Sequence, residues 1–356
     1  MNVCILGSGL VSLTLAKALI NLGINVDIFS NFESKNQNKI RTLGISKSNV
    51  DFINENILNI EKFLWNINRI EIYTYKSINE KLINFDNGSK TLFSLIKNYK
   101  LYNHLLSKIN KNKLINFKNK KIDYVSIKDK YDLIINCDLN NQITKKYFYK
   151  QLNKDYLSYA HTTIIKHKKL TNHTATQIFT ENGPFAFLPI SENETSIVYS
   201  AKGKRNIKLK NFIDKYNSKY EIISIKDIYS FELKSSNLRS YQYKNILAFG
   251  DLLHRIHPLA GQGYNMSIRD INELIKLIKL RLDLGLNLDS SICLDFEKKI
   301  KHKNYIFSKG VDLIYEFFDL ESKFKNNILS KSIQVLGKNR LMNDSFKKFA
   351  NQGLII

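Results

Sequence analysis

The chain has 356 residues, 43% of them hydrophobic, which is enough to bury a sizeable core and to form two domains that share an interface. That composition excludes a disordered or fibrous protein. Lys and Arg number 55 against 32 Asp and Glu, and the formal charge of +23 would favour an anionic partner, either nucleic acid or an anionic membrane surface. Lysine is spread along the whole chain with an excess of Asn and Ile, and no recognisable nucleic-acid module accompanies it. The charge therefore reads as compositional drift, and no nucleic-acid partner is expected. Cys4, Cys137 and Cys293 are too far apart in sequence to suggest a disulfide framework or a zinc site, so each is expected as a small core residue in a reducing compartment. No apolar run is long enough to cross a bilayer, and no signal segment precedes the first strand. The expectation is a cytoplasmic protein whose membrane contact is peripheral, on the inner face of the cell membrane.

Asn2 to Leu6 reads as a buried strand that runs into Gly7-Ser8-Gly9 and a helical pattern through Ile20, closed by Gly23; residues 24–29 supply a second strand. This is the strand, glycine turn and helix of a dinucleotide-binding unit: Gly7 permits the tight turn, Gly9 lets the backbone approach a pyrophosphate, and the helix start favours its charge. Ser12 stands where the third glycine of that fingerprint is expected. Ser30 stands where an acid would take the ribose hydroxyls, and it can still hydrogen-bond them; Asp27 faces the wrong way in a regular strand, and Glu33 lies beyond it. Residues 34–40 read as a loop. Arg41 is either a surface charge or a clamp on phosphates, and a helix-like segment runs on to Leu58. Residues 71–75 and 81–85 resemble a hairpin pair, 99–109 a helix, and 133–138 a buried strand ending at Asp138.

From 159 to 199 the period changes to alternation, which predicts an antiparallel sheet inserted between parts of the first domain, with Phe185 and Phe187 expected in its core. The stretch 246–270 then opens with an apolar strand, turns at Gly250-Asp251, and bends at Pro258. Gly261 and Gly263 permit close backbone approach before a helix from about Tyr264. Free N–H groups at that helix start suit an electron-rich ligand. His254 and His257 lack further ligands at metal spacing, so no metal is expected, and both read as structural. Residues 295–320 form a long amphipathic helical pattern.

Together, the N-terminal glycine unit, the strand ending at Asp138 and the stretch His257-Pro258-Leu259-Ala260-Gly261-Gln262-Gly263-Tyr264-Asn265 followed by Arg269-Asp270 resemble the flavoprotein aromatic hydroxylases of the para-hydroxybenzoate hydroxylase type, and within them the ubiquinone-biosynthesis branch. Residues 183–190 and 346–353 are also similar to that branch. The resemblance implies an α/β fold: a Rossmann-like FAD-binding domain (1–75, 98–155 and 236–290), an inserted antiparallel-sheet substrate domain (76–97 and 156–235) and a helical C-terminal segment (291–356). It implies an FAD-dependent monooxygenase that hydroxylates the ring of a hydrophobic, polyprenylated phenolic quinone precursor, with NAD(P)H as electron donor and O2 as oxygen source. Other quinone-biosynthesis proteins and an anionic membrane are implied as partners.

By position, the resemblance places Arg41, Lys100 and Asp138 on FAD, with Lys100 where the family more often has arginine. Asp251 would accept from a ribityl hydroxyl, beside Gly250. Pro258, Gly261, Gln262 and Gly263 would surround the flavin ring, and Asn265 would join the cofactor contacts. No residue is expected as a general base. Departures at Ser12, Ser30, Leu139, Leu252 and Leu253 leave one alternative, a non-catalytic or weakly FAD-binding relative acting as a binding or assembly partner in quinone biosynthesis; a flavin-dependent isoprenoid reductase, which shares the general fold, is a second, and Gly261-Gln262-Gly263 argues against it.

Overall fold

A computed structural model describes residues 1–30, 39–76, 80–119, 124–203, 205–258 and 261–324, together with 347–348 and 351–353. Glu33, most of the expected 34–40 loop, and Leu259, Ala260 and Phe346 of the quoted motifs lie outside the described residues. The first strand, Asn2–Leu6, sits inside a six-stranded sheet ordered 242–243, 246–248, 133–136, 2–6, 25–29, 115–118. Its apolar side chains are buried because helices cover both faces, as parallel sheets require. The chain leaves this strand through helix α1 (Leu10–Asn21) to Asn25–Phe29 on one side, and later places Leu133–Asn136 on the other. The carboxyl end of the first strand is thus a topological switch point, where an open α/β sheet leaves a crevice for a ligand.

Residues 42–46, which the sequence places ahead of a helix-like segment, form a strand, Thr42–Ser46, that pairs with Phe93–Lys97, and this in turn pairs with Trp65–Ile67. Helix α2 (Lys47–Asn56) follows directly. Helix α3 (Asn98–Ile109) packs against α1, and the short α4 (Gln142–Tyr147) is capped by the Asn141 side chain, which accepts from the Thr144 N–H at 2.7 Å.

The alternating region forms a nine-stranded sheet with the order 254–255, 229–238, 151–167, 194–202, 183–189, 174–180, 69–74, 83–86, and with 222–225 also on the 151–167 strand. Arg69–Thr74, expected in the first domain, lies in this sheet, parallel to Thr174–Thr180. The strand pattern was read correctly there. Its sheet was not, because alternation specifies a strand and not its neighbour. Phe185 and Phe187 are core residues as expected, packed with Tyr199 against α5 (Leu209–Tyr216). The other face of the sheet receives α6 (Gln262–Asp283) and the 35-residue α7 (Ser290–Phe324) through Tyr156, Phe179, Leu233, Met266, Phe307 and Val311. Among the described residues no helix is long and apolar enough to cross a membrane.

Candidate functional site

Four strand ends meet at the switch point. The Gly7 N–H bonds the Phe29 carbonyl at 2.8 Å, the Cys137 N–H bonds Leu6 at 2.9 Å, and the Phe249 N–H bonds Asn136 at 2.8 Å. Gly7 has φ +105 and packs on the 137–138 backbone. A left-handed residue lets the chain turn so sharply there, and only glycine does so freely. Gly9 begins α1, and a Cβ placed on it would meet nothing within 4 Å, so the backbone presents an open cradle at the helix start. Ser12 is buried against the Cys137 thiol. Burial pushes that thiol up to about 12, an effect that Ser12 offsets and that Asp251 and Asp138 reinforce. Ser30 lines the cavity, and its buried hydroxyl has no hydrogen-bond partner among the described residues. Asp138 is fixed by the Asn140 N–H at 2.9 Å, and its own N–H bonds the fully buried Asn136 amide at 3.1 Å. Asn136, which the sequence reading passed over, also binds Thr144 and Asn141 at 2.8 Å and so holds the Asp138 turn in place.

On the other side of the crevice, Gly250 turns at φ +63 with Val11 in contact, and Asp251 projects into the cavity. Leu252 and Leu253, which depart from the family pattern, are 1% and 0% exposed and belong to the hydrophobic core. The turn points both side chains inward, so of the large departures only Leu139 reaches the cavity. Gly261 starts α6 at φ +64, where a Cβ would stand 3.3 Å from the Gly44 nitrogen; Gly263 faces open space. The helix starts two residues earlier than the periodicity placed it.

Asn265 spends its side chain on the protein. It accepts from the Ser46 N–H at 2.9 Å and from Asn49 at 2.8 Å, and donates to the Gly44 carbonyl at 2.9 Å. It therefore clamps the loop at Gly261 to the 42–46 strand. Nearby, Asn351 docks the C-terminal residues by accepting from the Ser48 N–H at 3.0 Å.

A cavity of about 2450 Å³ runs along these groups. Gly7, Gly9, Ser12, Ser30, Arg41, Asp138, Gly250, Asp251, Pro258, Gly261, Gln262, Gly263 and Asn265 all line it. Lys100 does not: it is exposed on α3, and Asn98 and Tyr102 of that helix reach the cavity instead. The far wall is the nine-stranded sheet, through Thr162, Ala186, Leu188, Val198 and Leu233. The volume exceeds the roughly 300–1,000 Å³ of a small-molecule site and leaves room for a dinucleotide and a second molecule. Glycine cradles at two helix starts and the unpartnered Ser30 hydroxyl and Gln262 Oε1 suit FAD, whose phosphates, ribose and ring edge offer matching groups.

His254 donates or accepts at Nε2 with Asp270 at 2.5 Å, and Asp270 also takes the Asn304 amide at 2.9 Å. His257 is 1% exposed and packs edge-on to Tyr156 at 4.9 Å and on Tyr315 at 4.4 Å, with no hydrogen-bond partner at either ring nitrogen. Burial pushes its pKa down to about 3, and Lys154 acts in the same direction. Both histidines are thus held inside the protein. Among the described residues no group of three or more His, Cys, Asp or Glu side chains is placed to hold a metal.

This arrangement has the fold of FAD-dependent monooxygenases. Residues 208–283 match the FAD binding domain family. Over its length the structure resembles p-nitrophenol 4-monooxygenase PnpA from Pseudomonas putida DLL-E4, with a TM-score of 0.78, 11% identity, and coverage of 99% of this chain and 98% of that one. The particular relatives are those the sequence motif pointed to. The chain is 30% identical over 152 residues to 3-demethoxyubiquinol 3-hydroxylase of Escherichia coli K12, covering 40% of this chain and 39% of that protein. It is 24% identical over 247 residues to the Drosophila melanogaster ubiquinone biosynthesis monooxygenase COQ6, covering 57% and 51%. The chain thus spans about half or less of the length of these curated relatives.

Gly9→Val places a branched side chain in open space at a conformation any residue adopts, so it should leave the melting temperature within a few degrees while filling the cradle. Titration with FAD should show binding weakened by about tenfold or more; unchanged affinity would mean that the cofactor does not pass over Gly9. The buried neutral His257 makes a second expectation. Its folded pKa of about 3 lies below the ordinary histidine value of 6.5, so its contribution is whole above pH 6.5 and is lost as pH falls. The loss is roughly 1.4 kcal/mol per pH unit. Between pH 6.5 and 4.5, above most carboxylate titration, the melting temperature should fall more steeply in the wild type than in His257→Asn.

Proposed function

We propose that the protein is an FAD-dependent monooxygenase that hydroxylates the aromatic ring of a hydrophobic phenolic quinone precursor. What carries this reading is the continuity of one cavity between the Gly261-Gln262-Gly263 helix start and the apolar wall of the nine-stranded sheet. The curated relatives, named for hydroxylation in ubiquinone biosynthesis, support the substrate class.

When bound, FAD supplies the redox chemistry by which NAD(P)H and O2 place one oxygen atom on the ring and release the other as water. The residues along the cavity support these tasks for the chain. Gly7, Gly9, Arg41 and Ser30 would hold the adenosine and phosphate end. Asp251 would accept a hydrogen bond from a ribityl hydroxyl. N–H groups at the start of α6 would donate to the electron-rich edge of the ring, where preorganised donors stabilise developing negative charge. Ala186, Leu188, Val198 and Leu233 exclude water from the opposite face, with Thr162 and Ser200 offering hydroxyls to a phenol.

Purified protein should turn yellow with FAD and should oxidise NAD(P)H faster when a phenolic quinone precursor is added, with hydroxylated product detected by mass spectrometry. A colourless protein with no affinity for FAD would rule the reading out. A precursor of this class partitions into lipid, and we include peripheral contact with an anionic membrane in the proposal. The +23 charge and the exposed Ile306, Leu313 and Leu320, seven residues apart along α7, support it. Co-sedimentation with anionic vesicles should occur at low salt and be lost at high salt; its absence at low salt would remove this part of the proposal.

A further inference from the structure

The strand Gln151–His167 meets α7 along one row. Lys154 pairs with Glu316, Tyr156 donates to Asp312, and the Ser158 and Tyr315 hydroxyls lie 3.1 Å apart. Three alternate strand positions thereby meet two adjacent turns of one helix. Between Tyr156 and Ser158 the strand is irregular, and Leu157 sits at φ +49, a left-handed conformation rare for leucine and typical of a bulge that re-aims its neighbours. The side chain so aimed is Tyr156. Its hydroxyl donates to Asp312, and its ring stands edge-on to the His257 ring. Tyr315 closes the other side of that imidazole. Tyr156, Asp312 and His257 are all at most 4% exposed, and neither Tyr156 nor Asp312 lines the cavity.

We propose that Tyr156 and Asp312 are positioning residues for the flavin-ring loop, acting through the caged His257 on Pro258 next to it. The inference rests on the flavin reading of the cavity. Asp312 orients the Tyr156 hydroxyl, the tyrosine and Tyr315 fix the His257 ring and backbone, and chain continuity sets Pro258 on the cavity wall. A helix with no part in the expected cofactor contacts thereby governs how the ring is held. Removing the tyrosine hydroxyl takes a hydrogen bond from the buried Asp312, whose remaining partner among the described residues is Lys309 at 3.8 Å, and frees the ring that stands against His257.

The test compares Tyr156→Phe, Asp312→Leu and Asp312→Asn, reading FAD affinity, the absorption spectrum of bound flavin, and melting temperature separately. Tyr156→Phe and Asp312→Leu should each bind FAD about tenfold more weakly with a shifted flavin spectrum. Asp312→Asn, which can still accept from the tyrosine, should keep the wild-type spectrum. The double variant should be no weaker than either single one, as expected for residues acting in one chain. A folded Tyr156→Phe or Asp312→Leu protein with wild-type affinity and spectrum overturns the proposal, even if its melting temperature drops. Should both variants fail to fold, hydrogen exchange in the wild type decides: strong protection of the His257 amide supports the cage, and fast exchange overturns it. Failure of the wild type itself to bind FAD would defeat the flavin reading, and the exchange measurement would still report on the cage.

Discussion

One buried amide, Asn265, holds the site in its shape. Its side chain is 1% exposed and satisfied by the Ser46 N–H, Asn49 and the Gly44 carbonyl. Those bonds join the start of α6 to a strand more than two hundred residues earlier. Inside a protein such a network is strong when every member is paired and costly when one is not, so the two segments move as one body. Gly261 can approach Gly44 closely only because it has no Cβ, and the clamp and the glycine therefore depend on each other. Tyr264, bonded to Thr14 at 2.8 Å, ties the same helix to α1. The glycine cradle at α1 and the start of α6 are thus linked through the core as well as across the cavity.

The two sheets contribute different things. The parallel sheet joins its strand ends through backbone bonds and so brings Gly7, Asp138 and Gly250 to one cavity. The nine-stranded sheet supplies a wall whose outer face is buried under α5 and whose inner face is left apolar for a ligand. Helix α7 braces that wall against the loop carrying Pro258. The chain needs all three parts to enclose one cavity, although they come from opposite ends of the sequence.

Burial also decides what the titratable groups do. Glu194 is partly buried, which alone would raise its pKa, but Lys226 and Lys97 on either side bring it down to about 2 and make it a structural anchor between sheets. His257 is buried with no charged partner and stays neutral. Neither behaviour can be inferred from residue type, because each depends on which chain segments surround the group.

Much of the cofactor cleft was legible because glycine at a sharp turn is a local steric requirement. Gly7, Gly250 and Gly261 all adopt positive φ and all reach the cavity, as their spacing suggested. Strands such as Leu133–Asn136 were legible for a similar reason, since a continuous apolar run bounded by polar turns has few other uses. Helix face was harder: Lys100 was assigned by position, yet the α3 face toward the cavity carries Asn98 and Tyr102. The same holds for Leu252 and Leu253, whose direction is set by a single helical turn, and for Asn136, an ordinary polar residue until its partners surround it. The sequence by itself determined the strand, turn and helix units, the fold class and the kind of ligand the glycines admit. Only the tertiary structure decided that Arg69–Thr74 joins the far sheet, that Asn265 binds the protein, and that α7 cages His257. Those outcomes depend on contacts between residues remote in sequence, and neither periodicity nor local sterics carries information about them.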